Sequence, residues 1–138
     1  DNQSQKPCLC AVLRKATRVV TKRYDIFLKP SGLKITQYSM LANISRNEGI
    51  TVSRLAKVML MDQTTVTRNL QLLKKKGYIF YQEGGDDHRV KQIELSGSGK
   101  ERLKKAQSLW ELAQREIESE LGSFGFDVIL RSLNFIIK

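Results

Sequence analysis

Apolar residues recur at steps of three and four along most of this 138-residue chain, which is the pattern of amphipathic helices. The first such stretch covers residues 8–28, and the Lys-Pro-Ser-Gly sequence at 29–32 ends it. A second helix is predicted over residues 37–47, where the sequence Glu-Gly follows. Its inward side chains are Tyr38, Leu41 and Ile44.

Two shorter helices follow, and a residue type that caps helix N-termini stands at the start of each. Ser53 can cap the first of them, and Asp62 can cap the second. The second helix covers residues 63–76 and is closed by Gly77. Two short helices joined by a tight link are typical of a helix-turn-helix. The inward residues of the first helix are Leu55, Ala56 and Met59.

The hydrophobic period then changes, and two runs rich in aromatic and β-branched residues cover positions 78–83 and 89–95. A polar link with two glycines, residues 84–88, joins them as in a β-hairpin. A hairpin that follows a helix-turn-helix is the element order of a winged helix-turn-helix, which is a DNA-binding fold.

Two helices complete the chain. Residues 96–99 open a long helix, residues 122–125 interrupt it, and residues 126–137 form a strongly apolar last helix. We therefore predict a mostly α fold with a β-hairpin wing (α+β) in a single continuous domain. Its DNA-binding lobe covers residues 35–96, and residues 1–34 and 97–138 form a helical dimerisation region. The apolar seam of the long helix is Leu103, Ala106, Trp110, Ala113, Ile117 and Leu121.

The helix over residues 63–76 has two unlike faces. Steps of about 100° per residue place Val66, Leu70 and Leu73 on one side. Arginine can bond bidentately to guanine and glutamine to adenine, while threonine can meet a thymine methyl group or a phosphate. The opposite side therefore predicts a recognition helix, although the lysine run at 74–76 also suits a helix dipole. The polar residues of this opposite side are Thr64, Arg68, Gln71 and Lys75.

Further contacts with DNA are predicted around this helix. Its N-terminal N–H groups can bind a phosphate, as can Thr51 or Ser53 one helix earlier. Arg89 follows the hairpin tip and can enter the minor groove, and Asp87 can orient its guanidinium. The single histidine, His88, is predicted to be a phosphate neighbour at the tip. The other candidates are Gln63 and Lys91.

Several short motifs follow one another in a definite order along the chain. They are Gly32-Leu33-x3-Gln37-Tyr38-x2-Leu41, the segment 51–56, the segment 64–68 with Leu70, Leu73 and 77–79, Asp87-x-Arg89, and Leu95-Ser96-x2-Gly99. In this order and spacing, over essentially the whole chain, they resemble the MarR family of bacterial winged-helix transcription regulators. The resemblance implies a homodimer held by the terminal helices, bound to a pseudo-palindromic operator. It also implies a repressor relieved by a small molecule or an oxidant.

The resemblance assigns roles residue by residue. It implies minor-groove contact for Arg89. It implies base or phosphate contact for Thr64, Thr65, Thr67 and Arg68.

The net charge of +10 suits a polyanionic partner such as double-stranded DNA, and its distribution separates two regions. Residues 1–34 carry eight basic and two acidic side chains, whereas residues 101–138 carry six of each. The neutral, apolar C-terminal region predicts an interface between two copies. A homodimer would place two recognition helices about 34 Å apart, in successive major grooves.

Cys8 and Cys10 are the only cysteines, and two interpretations are open. They can be inert thiols at a helix start, one packed as a small hydrophobe and one exposed. They can also form a thiol switch, because a helix N-terminus and nearby cations favour the thiolate. On a helix, positions i and i+2 point about 200° apart, which disfavours a disulfide between them.

The resemblance adds a more specific expectation for these thiols. Cys10 and Tyr24 align with the reactive cysteine and one tyrosine of the branch of the family that responds to organic hydroperoxides. Ile35 stands where that branch has its second tyrosine, and Ala11 replaces its usual phenylalanine. The competing effector is a small aromatic ligand between the dimerisation region and the DNA-binding lobe.

Other function classes have little support in the sequence. There is no Gly-rich phosphate loop and no catalytic constellation, so we do not expect an enzyme. No metal site or cofactor is expected either, because too few ligands cluster. Without an apolar run of about 18–20 residues or a signal-like start, a cytoplasmic protein is expected. A non-specific architectural DNA binder or a winged-helix protein-interaction module are the alternatives.

Overall fold

The computed structural model describes residues 6–84 and 87–138, with side chains for all of these except 84 and 87–89. A 3-10 turn, Lys29–Ser31, connects the first two helices. The predicted helices and hairpin strands occur in the predicted order, with one additional short strand between the second and third helices, so the mostly helical fold with a hairpin wing is confirmed. The elements are α1 (Leu9–Leu28), α2 (Ile35–Arg46), β1 (Ile50–Thr51), α3 (Val52–Met59), α4 (Gln63–Lys75), β2 (Ile79–Gly84), β3 (Asp87–Leu95), α5 (Gly97–Leu121) and α6 (Ser123–Ile137).

Two helix starts differ from the predicted ones. Thr51, not Ser53, is the N-cap of α3, because its hydroxyl accepts a hydrogen bond from the Arg54 N–H at 3.2 Å. Ser53 lies inside the helix, so the prediction that it caps α3 was wrong. The second helix begins two residues early, at Ile35, because the Asp25 carboxylate of α1 accepts the Ile35 N–H at 2.8 Å.

The last helix also starts earlier than predicted, and the sheet has an additional strand. Gly122, with a φ of +79°, is sufficient to end α5, and α6 begins at once with Ser123. The strand order is β1-β3-β2 with antiparallel pairing throughout. β1 has only two residues, which is too short for a period of two to show in the sequence. The hairpin strands extend to Gly84 and Asp87, further into the link than predicted.

The core lies between α2, α3, α4 and one face of the sheet, and α5 packs across it. The Tyr38 ring of α2 stacks on Trp110 of α5 with the ring centroids 6.0 Å apart. Met59, predicted to point inward, is half-buried. The other inward residues predicted for α2, α3 and α4 are confirmed as buried: Tyr38, Leu41, Ile44, Leu55, Ala56, Val66, Leu70 and Leu73.

The first and last helices, α1 and α6, bury few residues within one chain. Leu28 is the buried residue of α1, and α6 buries none although most of its residues are apolar. Leu121, at the end of the α5 seam, is 46% exposed. In the parts of the chain described here, no helix has the length and apolar character needed to span a bilayer.

Candidate nucleic-acid interface

The exposed side of α4 carries the residues predicted to read DNA. Val66, Leu70 and Leu73 are fully buried, so the helix has one fixed orientation and its polar side faces solvent. Lys75, in the last turn, is exposed as well. A shallow concave surface on this side is lined by Gln63, Thr64, Thr67, Arg68 and Gln71.

The N-terminus of α4 is held by Asp62, as predicted, but this cap also engages a predicted DNA contact. One Asp62 carboxylate oxygen accepts the Thr65 N–H at 2.8 Å, and the other accepts the Thr65 hydroxyl at 2.9 Å. These two bonds from Thr65, with the nearby Arg68 charge, lower the pKa of the Asp62 carboxyl. Because the Thr65 hydroxyl proton is directed to Asp62, Thr65 serves the helix start, and Thr64 and Thr67 are the exposed threonines.

A sharp turn sets the angle between α3 and α4. Leu60 adopts a left-handed backbone conformation with a φ of +52°, and the Met61 N–H donates to the Ala56 carbonyl at 2.9 Å. The side chain of Leu60 is 70% exposed, so this conformation is held by the backbone and not by packing of the side chain. Ser53 is exposed near the start of α3, and its contact with a phosphate is still a prediction.

The base of the wing is joined to α5 by a close backbone contact. Ser96 caps α5, its N–H donates to the Tyr78 carbonyl at 3.0 Å, and its hydroxyl donates to the Gly77 carbonyl. Gly99 lies so near that a Cβ there would be 2.0 Å from the Tyr78 oxygen. The Ser96-x2-Gly99 motif therefore has a mechanical role, because only glycine allows α5 to approach the first residues of the wing.

Arg102 adds a second connection at the same place. Its guanidinium donates to the Ser31 carbonyl at 2.9 Å and lies over the Tyr78 ring, 5.6 Å from the centroid. Ser31 is fully buried and donates its hydroxyl to the Leu28 carbonyl at 2.6 Å. The α1–α2 connection, α5 and the start of the wing thus meet at one point.

The predicted contacts at the wing tip are only partly described. Asp87, His88 and Arg89 belong to β3, but their side chains lie outside the described part of the structure. The proposed contact between Asp87 and Arg89 is therefore still a prediction. Lys91, two residues further along β3, is exposed.

The predicted redox residues are not brought together within one chain. Cys8 and Cys10 are both exposed free thiols. Cys8 precedes α1 and has an extended backbone, so the argument from helical spacing against a Cys8–Cys10 disulfide does not apply. Tyr24 is about 21 Å from Cys10 along α1, at about 1.5 Å of rise per residue. Its hydroxyl donates to Gln114 of α5, and burial raises its pKa.

Three features of the interface escaped the sequence analysis. The role of Thr65 was detectable in principle, because an N-cap Asp accepts the N–H of the second or third helical residue, and Thr65 is the third. The close approach at Gly99 and the cap that Asp25 provides for α2 depend on tertiary contact and leave no local signal. No group of three or more side chains suited to hold a metal ion occurs in the described residues.

Comparison with known proteins gives a consistent result. A family model described as the MarR family matches residues 31–90, which cover α2, α3, α4 and most of the wing. The HTH-type transcriptional regulator SarZ of Staphylococcus haemolyticus is 33% identical over 91 residues. That match covers 66% of this chain and 62% of the relative, so the chain spans less than two thirds of this relative's length.

Solved structures match over nearly the whole chain. The transcriptional regulator MosR of M. tuberculosis, crystallised in complex with DNA, is 36% identical with a TM-score of 0.85. The match covers 94% of this chain and 93% of that one. A mutant MarR from E. coli complexed with operator DNA has a TM-score of 0.87 over 94% of both chains. Its identity of 20% shows likeness of fold alone.

Proposed function

Since this chain belongs to the MarR family, we propose that it is a sequence-specific regulator of transcription that binds double-stranded DNA. The exposed polar side of α4 carries this proposal. It presents an arginine, a glutamine and two threonines from a helix whose opposite side is locked in the core. These are the side chains that read base edges in a major groove. The DNA complex of the 36% identical MosR supports the same use of the fold.

Arg68→Ala tests sequence-specific binding. Selection of bound fragments from random duplex DNA first yields an operator and its half-site spacing. Loss of a bidentate base contact costs about 1–3 kcal/mol, so Arg68→Ala should weaken operator binding roughly 5- to 150-fold and binding to random duplex much less. Arg115→Ala, an exposed arginine of α5, is the matched control and should bind as the wild type does.

Two other outcomes would favour the alternative functions. Equal losses on operator and random duplex would indicate a non-specific architectural binder. Failure of the wild-type protein to bind any duplex would indicate a protein-interaction module.

We also propose that the regulator is a homodimer. α6 buries no residue within one chain and leaves seven large apolar side chains exposed, and grouped exposed apolar side chains are typical of an interaction surface. A groove between α1 and the end of α6, with Leu9, Leu13 and Ile136 in its lining, continues this surface. A second copy would cover both, with residues 1–34 and 97–138 as the dimerisation region and 35–96 as the DNA-binding lobe. The exposed apolar residues of α6 are Phe124, Val128, Ile129, Leu130, Phe135, Ile136 and Ile137.

Ile136→Asp tests the dimer. The side chain is 62% exposed in the single chain, so the change should leave the helical circular dichroism intact. In sedimentation, the variant should be monomeric at concentrations where the wild type is dimeric, and operator binding should weaken strongly. Leu60→Asp, at a 70% exposed position in the DNA-binding lobe, should stay dimeric. A monomeric wild type would refute the proposal.

For regulation, we propose repression that ends on thiol oxidation or on binding of a small aromatic ligand, in the bacterial cytoplasm where such regulators meet DNA. Thiol oxidation is supported by Cys10, which is exposed and lines the groove between α1 and α6. A hydroperoxide would oxidise the Cys10 thiolate to a sulfenic acid and be reduced to the alcohol. Because Cys10 and Tyr24 lie about 21 Å apart along α1, a contact between them would have to form between two copies of the chain.

Peroxide treatment of the protein–operator complex tests the redox mechanism. It should release the DNA from the wild type and not from Cys10→Ser, and Cys8→Ser shows whether the second thiol takes part. Release that persists in Cys10→Ser would exclude Cys10 as the sensor. Release of the DNA by an aromatic acid in the absence of oxidant would favour regulation by ligand binding.

A further inference from the structure

Two lysines meet one tyrosine ring where α4 adjoins the wing. Tyr81 of β2 is half-buried and lies opposite Ile93 in the strand register, on the face of the sheet that continues the core. The Lys74 ammonium group, from the last turn of α4, lies 5.0 Å from the ring centroid. The Lys91 ammonium group, from β3, lies 5.5 Å from the same centroid. One ring therefore holds cations from both elements that the DNA would contact.

The lysine run at 74–76 does not act as one unit. At about 80° around the helix from Val66, Lys74 lies outside the polar reading side and turns toward the wing. Its contact with Tyr81 distinguishes it from a lysine that only balances the helix dipole. The register places Glu83 opposite Lys91, so the surroundings are not uniformly basic. Lys74 and Lys91 are nevertheless both exposed, so an anion can reach their ammonium groups.

The position of this pair indicates which anion it would bind. Lys74 lies about 9 Å beyond Arg68 along α4, at about 1.5 Å per residue. A helix placed in the major groove has a phosphate backbone on either side, and lysines contact phosphates as point charges. Tyr81 restrains two otherwise flexible side chains, so less conformational freedom is lost when a phosphate binds.

We propose that Lys74, Lys91 and Tyr81 form a phosphate clamp for the DNA backbone beside the major groove that α4 enters. The clamp rests on the proposed function, because it requires duplex DNA on α4. The lysines contact the phosphodiester oxygens, and Tyr81 positions the lysines.

The salt dependence of binding tests the clamp on both the selected operator and a random duplex. Each phosphate contact contributes about 0.9 to the slope of log Kobs against log salt concentration. Because the proposed homodimer carries each substitution twice, Lys74→Ala and Lys91→Ala should each lower the slope by about 1.8, and should weaken binding to both DNAs by the same factor. Lys22→Ala removes an exposed cation from α1 and should leave the slope unchanged.

Variants of the tyrosine separate positioning from charge. Tyr81→Phe keeps the ring and should bind as the wild type does. Tyr81→Leu keeps all the charges but should weaken binding to both DNAs, with circular dichroism confirming that it is folded. The lysine variants test the clamp even where Tyr81→Leu unfolds, because both lysines are exposed.

The possible failures are distinguishable. Wild-type slopes in both lysine variants would overturn the clamp and leave the proposed function intact. Losses confined to the operator would also overturn it, because they would indicate base reading instead of phosphate contact. If the wild-type chain bound no duplex DNA, both proposals would be wrong.

Discussion

A methyl group at Gly99 should break the joint between the wing and α5. A Cβ at this position would lie 2.0 Å from the Tyr78 carbonyl oxygen and 2.9 Å from its carbon. The backbones must therefore separate by about 1 Å, which also disturbs the two hydrogen bonds that Ser96 donates to Gly77 and Tyr78. Overpacking costs about 1–3 kcal/mol, and each hydrogen bond contributes about 0.5–1.5 kcal/mol. Gly99→Ala should thus destabilise the fold by about 2–6 kcal/mol.

Thermal unfolding followed by circular dichroism measures this effect at one fixed protein concentration. An unfolding entropy of about 2.1 cal/mol/K per residue implies a Tm shift of roughly 3–4 °C per kcal/mol for this chain. We therefore expect Gly99→Ala to unfold roughly 7–21 °C below the wild type. Gly97→Ala is the matched control, because an added Cβ there meets no atom within 4 Å. Equal Tm values for the two variants would refute the role assigned to the close approach.

Three further predictions concern the helix starts and one turn. The pKa of Asp62 is lowered by folding, so its contribution to stability is present above its usual pKa, near 4, and is lost as the pH falls through the lowered value. Asp62→Asn should therefore flatten the acid part of a stability–pH curve, and an unchanged curve would contradict this. Asp25→Ala removes the acceptor of the Ile35 N–H and should lower the free energy of unfolding by about 1 kcal/mol in urea titrations, while Asp25→Asn should recover most of it. Gly32 has a φ of +76°, so Gly32→Ala should cost about 1 kcal/mol and Gly32→Asn less, and equal denaturation midpoints would count against it.

The helices that surround the core, α2, α3 and α4, were predictable because their inward residues pack within one chain. Val66, Leu70 and Leu73 repeat at helical spacing and are all fully buried, so the pattern and the packing agree. The stripe of α1 shows the opposite case. Its spacing is equally regular, but Leu9 is 59% exposed and Val19 is 56% exposed. Periodicity indicates which side of a helix is apolar and does not indicate whether the same chain covers it.

Element boundaries set by tertiary contacts could not be predicted from local sequence. The start of α2 depends on Asp25, ten residues earlier on another helix. β1 exists only because Ile50 meets Ile93 across the sheet. For the candidate interface, the polar side of α4 was correctly predicted to face solvent, whereas the contact of Lys74 with Tyr81 depends on how the wing docks.

The same tertiary contacts explain how α1 and α5 can govern the position of the proposed DNA-binding lobe. Asp25 connects α1 to the start of α2, and Arg102 connects α5 to the buried Ser31 turn. Ser96 connects α5 to Tyr78, the residue that precedes β2. Because packed interiors transmit displacement instead of absorbing it, a shift of α1 against α5 must move α2 and the wing base together. In the proposed dimer, the spacing of the two α4 helices is then set by the terminal helices. In this proposal, an effector near Cys10 would change operator affinity without touching α4.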